Sequence, residues 1–247
     1  MWGRHPVLEA LRAGRTVDRV LIAEGIRPIG PIADVLRLAR ERGVKVQWVD
    51  RRALDRMSAG ANHQGVVAEV AEYRYWSIEN LFAEAQRAPG LPLFLALDSL
   101  EDPQNFGTLL RTADAINASG VVIPLHRSVG VTPAVEKASA GAVEYLRIAR
   151  VTNLARAIES LKRQGCWIVG LDSRATVRYD QFAVDVPLVL VVGAEGRGLG
   201  RLVRETCDVL VSLPMLGHVE SLNAAVAGSI VLYDVLRRRG EGTVSRA

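Results

Sequence analysis

From Leu91 onward the chain alternates short apolar runs with helical patterns, and that rhythm restricts its fold more tightly than any other feature. The runs are Leu93–Leu97, Gly120–Ile123, Tyr145–Ala149, Trp167–Leu171, Leu188–Val192 and Val209–Leu213. Each is too short for a buried helix and is bounded by turn residues, so it reads as a strand covered on both faces. Helical patterns separate the runs at Phe106–Asn117, Pro133–Ala142, Asn153–Gln164, Leu199–Thr206 and Leu222–Arg239. Strands and helices in this alternation predict an α/β fold with a doubly wound parallel sheet. Ligands on such sheets sit at the carboxyl ends of the strands. Function is therefore to be sought in the loops that leave those ends. Within Pro187–Asn223 two strands each empty into a glycine-rich or polar loop, which places Glu195, Ser221 and Asn223 around one pocket.

The first 75 residues have a shorter rhythm. Helices are expected at Pro6–Arg12, Ile29–Arg42 and Arg51–Ser58, and strands at Arg19–Ala23, Val44–Val49 and Gly65–Val70, enough for a compact αβα domain. This stretch holds 13 Lys and Arg against 9 Asp and Glu, whereas the remainder is balanced at 18 against 18. The whole positive excess thus falls where contact with a polyanion would use it. Tyr73-Arg74-Tyr75-Trp76 then interleaves aromatics with a cation, suited either to stacking on bases or to anchoring a linker. Glu79–Ala88 reads as a helix and Pro89-Gly90 closes the segment, so the domain boundary falls within 72–91.

Composition excludes several classes. No apolar run approaches the ~18 residues of a membrane span, and no signal-peptide core opens the chain, so a cytoplasmic protein is expected. Cys166 and Cys207 sit in apolar-periodic segments and read as reduced core thiols. The four histidines have no metal-binding spacing, and no metal is expected.

Three loops carry polar chemistry. The first follows Leu93–Leu97 and runs through Asp102, Pro103 and Asn105 to Arg111; Asn105 is placed at a helix cap, and the arginine on this apolar helix reads either as paired or facing a cleft, or as a surface residue. The second, Gly193–Gly200, has neither the Lys-Ser/Thr of a Walker loop nor the order and position of a dinucleotide fingerprint; its glycines suit close backbone approach to a ligand, with Glu195 held among them. The third ends in Ser221-Leu222-Asn223, where Ser221 has capping chemistry for the last helix, whose small residues Ala224, Ala225, Ala227, Gly228 and Ser229 permit close packing. Each loop alone is explained by a cap or a turn. Three of them at the carboxyl ends of one sheet favour a binding site.

In order and spacing these loops resemble the three motifs of the SpoU (TrmH-type) RNA ribose 2′-O-methyltransferases of the SPOUT superfamily: DPQNFGTLLR with Asn105 and Arg111, VVGAEGRG with Glu195, and LPMLGHVESLNAAVA with Ser221 and Asn223. GRHPVLEAL at Gly3–Leu11 and NHQGVVAE at Asn62–Glu69 resemble the substrate-binding domain of the branch that methylates a guanosine of 23S ribosomal RNA. The resemblance implies a small L30e-like αβα domain over 1–72, a linker over 73–91, a SPOUT-type parallel-sheet α/β catalytic domain with a deep trefoil knot over 92–240, and a tail at 241–247. It implies S-adenosylmethionine as cofactor, held by backbone at Gly193, Leu213 and Leu222. It also implies RNA as partner, a homodimer, and catalytic roles for Arg111, Asn105, Glu195, Ser221 and Asn223. The alternatives are a transfer RNA substrate, or a non-catalytic RNA-binding scaffold of the same fold.

Overall fold

The computed structural model describes residues 1–240; the tail expected at 241–247 lies outside the described residues. Along the chain the elements are α1 Arg4–Ala13, β1 Val17–Ala23, α2 Pro31–Glu41, β2 Lys45–Val49, α3 Arg51–Met57, β3 Val66–Val70, α4 Ile78–Arg87, β4 Leu93–Asp98, α5 Pro103–Ala115 and β5 Gly120–Pro124. There follow α6 Pro133–Ala138, a 3₁₀ turn Ala142–Glu144, β6 Ile148–Val151, α7 Leu154–Arg163, β7 Trp167–Leu171, β8 Val177–Arg178, β9 Leu188–Gly193, α8 Arg201–Thr206, β10 Val209–Ser212 and α9 Ala224–Arg238. The chain forms two compact units, Met1–Arg74 with Val131–Tyr145, and Tyr75–Gly130 with Leu146 onward.

The first unit is built on a sheet of order β2-β1-β3, parallel on one side of β1 and antiparallel on the other. Alternation along β1 decides the layers. Val20 and Ile22 pack with Val7 and Leu11 of α1 and Ile32 and Val35 of α2, while Leu21 and Ala23 pack with Leu54 of α3. The two sequence stretches resembling a substrate-binding domain meet here: the Arg4 backbone N–H and Nε donate to Gln64 Oε1 and Gln64 O, both at 3.1 Å.

The sequence places Val131–Tyr145 in the catalytic domain, yet its contacts lie in the first unit. Arg15 Nη1 donates to Glu136 Oε1 at 2.6 Å and to Glu144 Oε1 at 2.7 Å, and both carboxylates are buried. Its remaining nitrogens donate to Ala71 O. Lys137 Nζ donates to Asn62 O at 2.7 Å and the Tyr145 hydroxyl to Glu9 at 2.5 Å. Two left-handed residues in a row, Ala140 at φ 53° and Gly141 at φ 91°, end α6 earlier than the expected Ala142. The turn that follows delays β6 from the expected Tyr145 to Ile148.

The second unit carries a seven-stranded parallel sheet of order β6-β5-β4-β9-β7-β10-β8. The sequence shows six of these strands; β8 escapes because two residues carry no periodicity. The central strands β4 and β9 are buried at every position, as the valine-rich runs require. On one face Phe94, Val122, Val189 and Val191 pack against α4, α7 and α8. On the other, α5 and α9 pack together. Gly228 makes that approach possible, because a Cβ there would stand 2.8 Å from Leu109 and 3.1 Å from Val192. No helix among the described residues is long and apolar enough to cross a membrane.

Candidate functional site

Strand β4 ends in Asp98, a carboxylate that burial would make costly without donors. It accepts the Gly200 N–H at 2.7 Å and the Ser99 hydroxyl at 3.1 Å, tying the exit of β4 to the start of α8. Asp102 caps α5, accepting from the N–H groups of Gln104 and Asn105. Asn105, expected as the cap, lies instead inside the first turn, and its side chain is buried and free to serve another element.

Strand β9 ends in Gly193, and the backbone folds back so that Gly198 N–H donates to Ala194 O at 2.9 Å. Gly196 and Gly198 adopt left-handed φ of 73° and 64°, which glycine accepts at no steric cost. Gly193 has a different reason to lack a side chain: a Cβ would stand 2.3 Å from the Gly198 carbonyl. This loop presents backbone, and Glu195 projects from its tip.

Asn223 joins these parts. Its Oδ1 accepts from the N–H groups of Ala225 and Val226 and so caps α9, the role sequence chemistry gave to Ser221. Its Nδ2 donates to Asn105 Oδ1 at 2.8 Å and, in a short contact, to Glu195 Oε1. Glu195 Oε1 also accepts the Ala224 N–H at 3.3 Å. A carboxamide has two N–H donors and one acceptor oxygen, and here all are engaged. One side chain thus fixes the helix start, the α5 asparagine and the glycine-loop glutamate together. Ser221 is exposed and lines the pocket below this junction.

The pocket has a volume of about 790 Å³, within the range of small-molecule sites. Gly193, Leu213 and Leu222 line it with Glu195, Ser221 and Asn223. Arg111 is not among the lining residues. It lies on the exposed side of α5 and makes no hydrogen bond or ion pair among the described residues. Of the two sequence readings, a paired or cleft-facing arginine and a surface one, the single chain shows the surface one. Among the described residues, no cluster of three His, Cys, Asp or Glu side chains gathers to hold a metal.

Two carboxylates at strand ends escape sequence reasoning. Asp98 is described above. Asp172 follows β7, is buried, accepts from Arg174 N at 2.9 Å and Nε at 3.5 Å, and makes a short ion pair with Arg204. Their only sequence signal is a polar residue directly ending an apolar run. Of the two sequence readings of Tyr75-Trp76, the structure favours the anchor. Trp76 N–H donates to Ile148 O, Arg147 lies over its ring at 5.7 Å, and Arg150 lies over Tyr75 at 5.3 Å. Burial pushes the Cys166 thiol up to about 11 and the Cys207 thiol up to about 12, so both stay protonated core groups.

Comparison with known proteins gives the same picture from outside. Residues 92–233 match the family model of the SpoU rRNA Methylase family, and residues 1–76 match that of RNA 2′-O ribose methyltransferase substrate binding. YacO of Bacillus subtilis, which carries the name of a TrmH family tRNA/rRNA methyltransferase, is 46% identical over 237 residues, covering 96% of this chain and 94% of YacO. The AdoMet complex of the SpoU methyltransferase AviRb from Streptomyces viridochromogenes is similar with a TM-score of 0.81 and 25% identity over 98% of this chain and 90% of that one. An AdoMet-bound rRNA methyltransferase from Sinorhizobium meliloti gives 0.79 and 27%, over 96% and 86%.

Proposed function

From the premise that the chain belongs to the SpoU rRNA methylase family, we propose that it transfers a methyl group from S-adenosylmethionine to a ribose 2′-hydroxyl, and that the ribose belongs to a guanosine of 23S ribosomal RNA. The observation that carries the reading is the Asn223 junction, which ties the buried Asn105 of α5 to Asn223 and Glu195 in the lining of a pocket with a glycine wall. The cofactor, when bound, supplies an electrophilic methyl on a sulfonium. The pocket suits it because Gly193 leaves the space that a side chain would fill, and because Leu213 and Leu222 offer backbone and apolar surface.

The chain's own task is to place and activate a weak nucleophile. As the oxygen–methyl bond forms and the carbon–sulfur bond breaks, the hydroxyl's proton passes to solvent water and negative charge grows transiently on oxygen. A guanidinium aimed at that oxygen stabilises the charge without itself losing a proton, which a pKa above ~12 makes costly. Arg111 takes this role as alkoxide stabiliser rather than as base. Asn105 and Asn223 hold the α5 side of the site in register, and Glu195 and Ser221 position RNA at the pocket mouth.

Arg111 is exposed in the single chain, and α9 presents Val226, Ile230 and Tyr233 to solvent at helical spacing, with Leu222 exposed just before it. A second copy packed on this face would cover the stripe and close the site around Arg111, so the working form is a homodimer. Strand β10 lies between β7 and β8, two strands that precede it in the chain, which supports the deep trefoil knot of the SPOUT fold. The first unit, an αβα layer with the basic excess, is read as the L30e-like RNA-binding domain of a cytoplasmic enzyme. Tritiated S-adenosylmethionine with purified ribosomal and transfer RNA tests the proposal. Label in 23S RNA, mapped to one 2′-O-methylguanosine, is expected. Label in transfer RNA alone would move the substrate, and tight RNA binding without label would leave a scaffold.

A further inference from the structure

The proposed cofactor carries an anionic group, the α-carboxylate of its methionine part, that calls for a cationic partner in the pocket. Two cationic side chains line the pocket, Arg174 and Arg197. Their settings differ. Arg197 stands between Gly196 and Gly198, both left-handed, on a loop tip, and makes no hydrogen bond or ion pair among the described residues. Arg174 is tethered at its base by Asp172, whose Oδ1 accepts both its backbone N–H and its Nε. Asp172 is itself fixed, buried at the end of β7 with its N–H on Val211 O and its other oxygen on Arg204. A guanidinium held at Nε keeps its two terminal nitrogens for a second planar anion, the geometry in which arginine binds carboxylates.

Charge counting points the same way. One carboxylate, Asp172, faces two guanidinium groups, Arg174 and Arg204. The cluster therefore keeps a positive charge, and Arg174 is its member on the pocket wall, with its side chain 77% exposed. A buried acid spent on orienting an exposed arginine makes sense if the arginine must meet something.

We propose that Arg174 binds the α-carboxylate of S-adenosylmethionine, with Asp172 as the positioning residue that aims it. The inference rests on the methyltransferase reading above. It sharpens that reading, because it divides cofactor recognition into a nucleoside part, met by the glycine wall, and an amino-acid part, met by the loop after β7.

Calorimetric titration of the full-length protein with S-adenosylmethionine, S-adenosylhomocysteine and 5′-methylthioadenosine tests it, since the last ligand keeps the nucleoside and lacks the carboxylate. Arg174→Ala should weaken the first two by about tenfold or more, the loss of a charge-assisted pair, and leave methylthioadenosine within about twofold. Arg174→Lys should recover part of the loss. Asp172→Asn should give a smaller loss with the same ligand selectivity, and Arg197→Ala should give none. Equal weakening of all three ligands by Arg174→Ala would overturn the proposal. So would unchanged cofactor affinity with weaker RNA binding and a salt slope reduced by about one, the mark of a phosphate contact. Failure of the wild-type protein to bind any of the three would instead remove the cofactor reading itself.

Discussion

Asn105 and Arg111 stand on one helix, yet the first is buried and bonded to Asn223 while the second is exposed and unpartnered among the described residues. Across the junction, the Gly193–Gly198 loop and the start of α9 offer mainly backbone, glycine space and capped N–H groups. The α5 side thus offers side chains at the end of a helix, and the pocket side offers the path of its main chain. The difference teaches where tolerance lies. A side-chain site fails when one functional group is lost. A backbone site fails when an atom is added.

The sharpest break of this contrast is Arg111→Ala. Methyl transfer should fall by about 10²–10³, the loss typical of removing one donor to a developing oxyanion, while cofactor affinity and thermal stability stay near wild type. Near-normal transfer in a variant that binds cofactor would sink the assigned role. The next largest effect is the added atom. Gly193→Ala must push against the Gly198 carbonyl. It should cost about 1–3 kcal/mol of stability, as overpacking does, and weaken S-adenosylmethionine by about tenfold. Unchanged calorimetric affinity would show that the loop does not need its glycine wall.

Asn223→Asp tests the junction between the halves. Aspartate caps as well as asparagine, so α9 should keep its start. Both donors are lost, however, and a second carboxylate meets Glu195. A destabilisation of about 1–2 kcal/mol is expected, visible in urea unfolding, together with reduced transfer; Asn223→Ser should keep the cap without the repulsion. A variant as stable and active as wild type would mean that the Asn105 and Glu195 contacts contribute nothing.

The smallest expected effect concerns the first unit, where charge rather than sheet burial fixes a segment. Burial lifts Glu144 above the ordinary carboxylate range, with Arg15 pulling the other way. The folded state therefore holds this proton more tightly than the unfolded chain. Its contribution to stability is present below the ordinary carboxylate value and is lost as pH rises through the raised one. Glu144→Gln removes that contribution, so its Tm should drop further between pH 7 and pH 5 than the wild type's. An equal or smaller drop would show that the Arg15 pair outweighs burial.

The sheet was legible because burial on both faces writes itself as valine-rich runs; of the three loops, the second and third line the pocket, while the loop after β7 that joins them there gave no sequence signal beyond Asp172. What hid was pairing at a distance. Ser221 and Asn223 both have capping chemistry, and nothing local chooses between them; the choice is made by Asn105 and Glu195, which meet the Asn223 amide and lie 118 and 28 residues away. Asp98 looks like a surface residue until Gly200, 102 residues later, reaches it. Arg111 was legible as a motif residue, but its exposure was not, because a helix pattern does not say which face its neighbours leave open.

The excursion of Val131–Tyr145 into the first unit bears on how such a protein can be rearranged. The substrate-binding family model ends at residue 76, but the unit that folds around Arg15 needs Glu136 and Glu144 from much later in the chain. A fragment cut at the linker would lose both carboxylates that accept from the Arg15 guanidinium. The first unit is therefore not one continuous stretch of chain. A graft at one joint cannot move the first unit whole to another protein. It must be moved as two pieces, or changed where it stands.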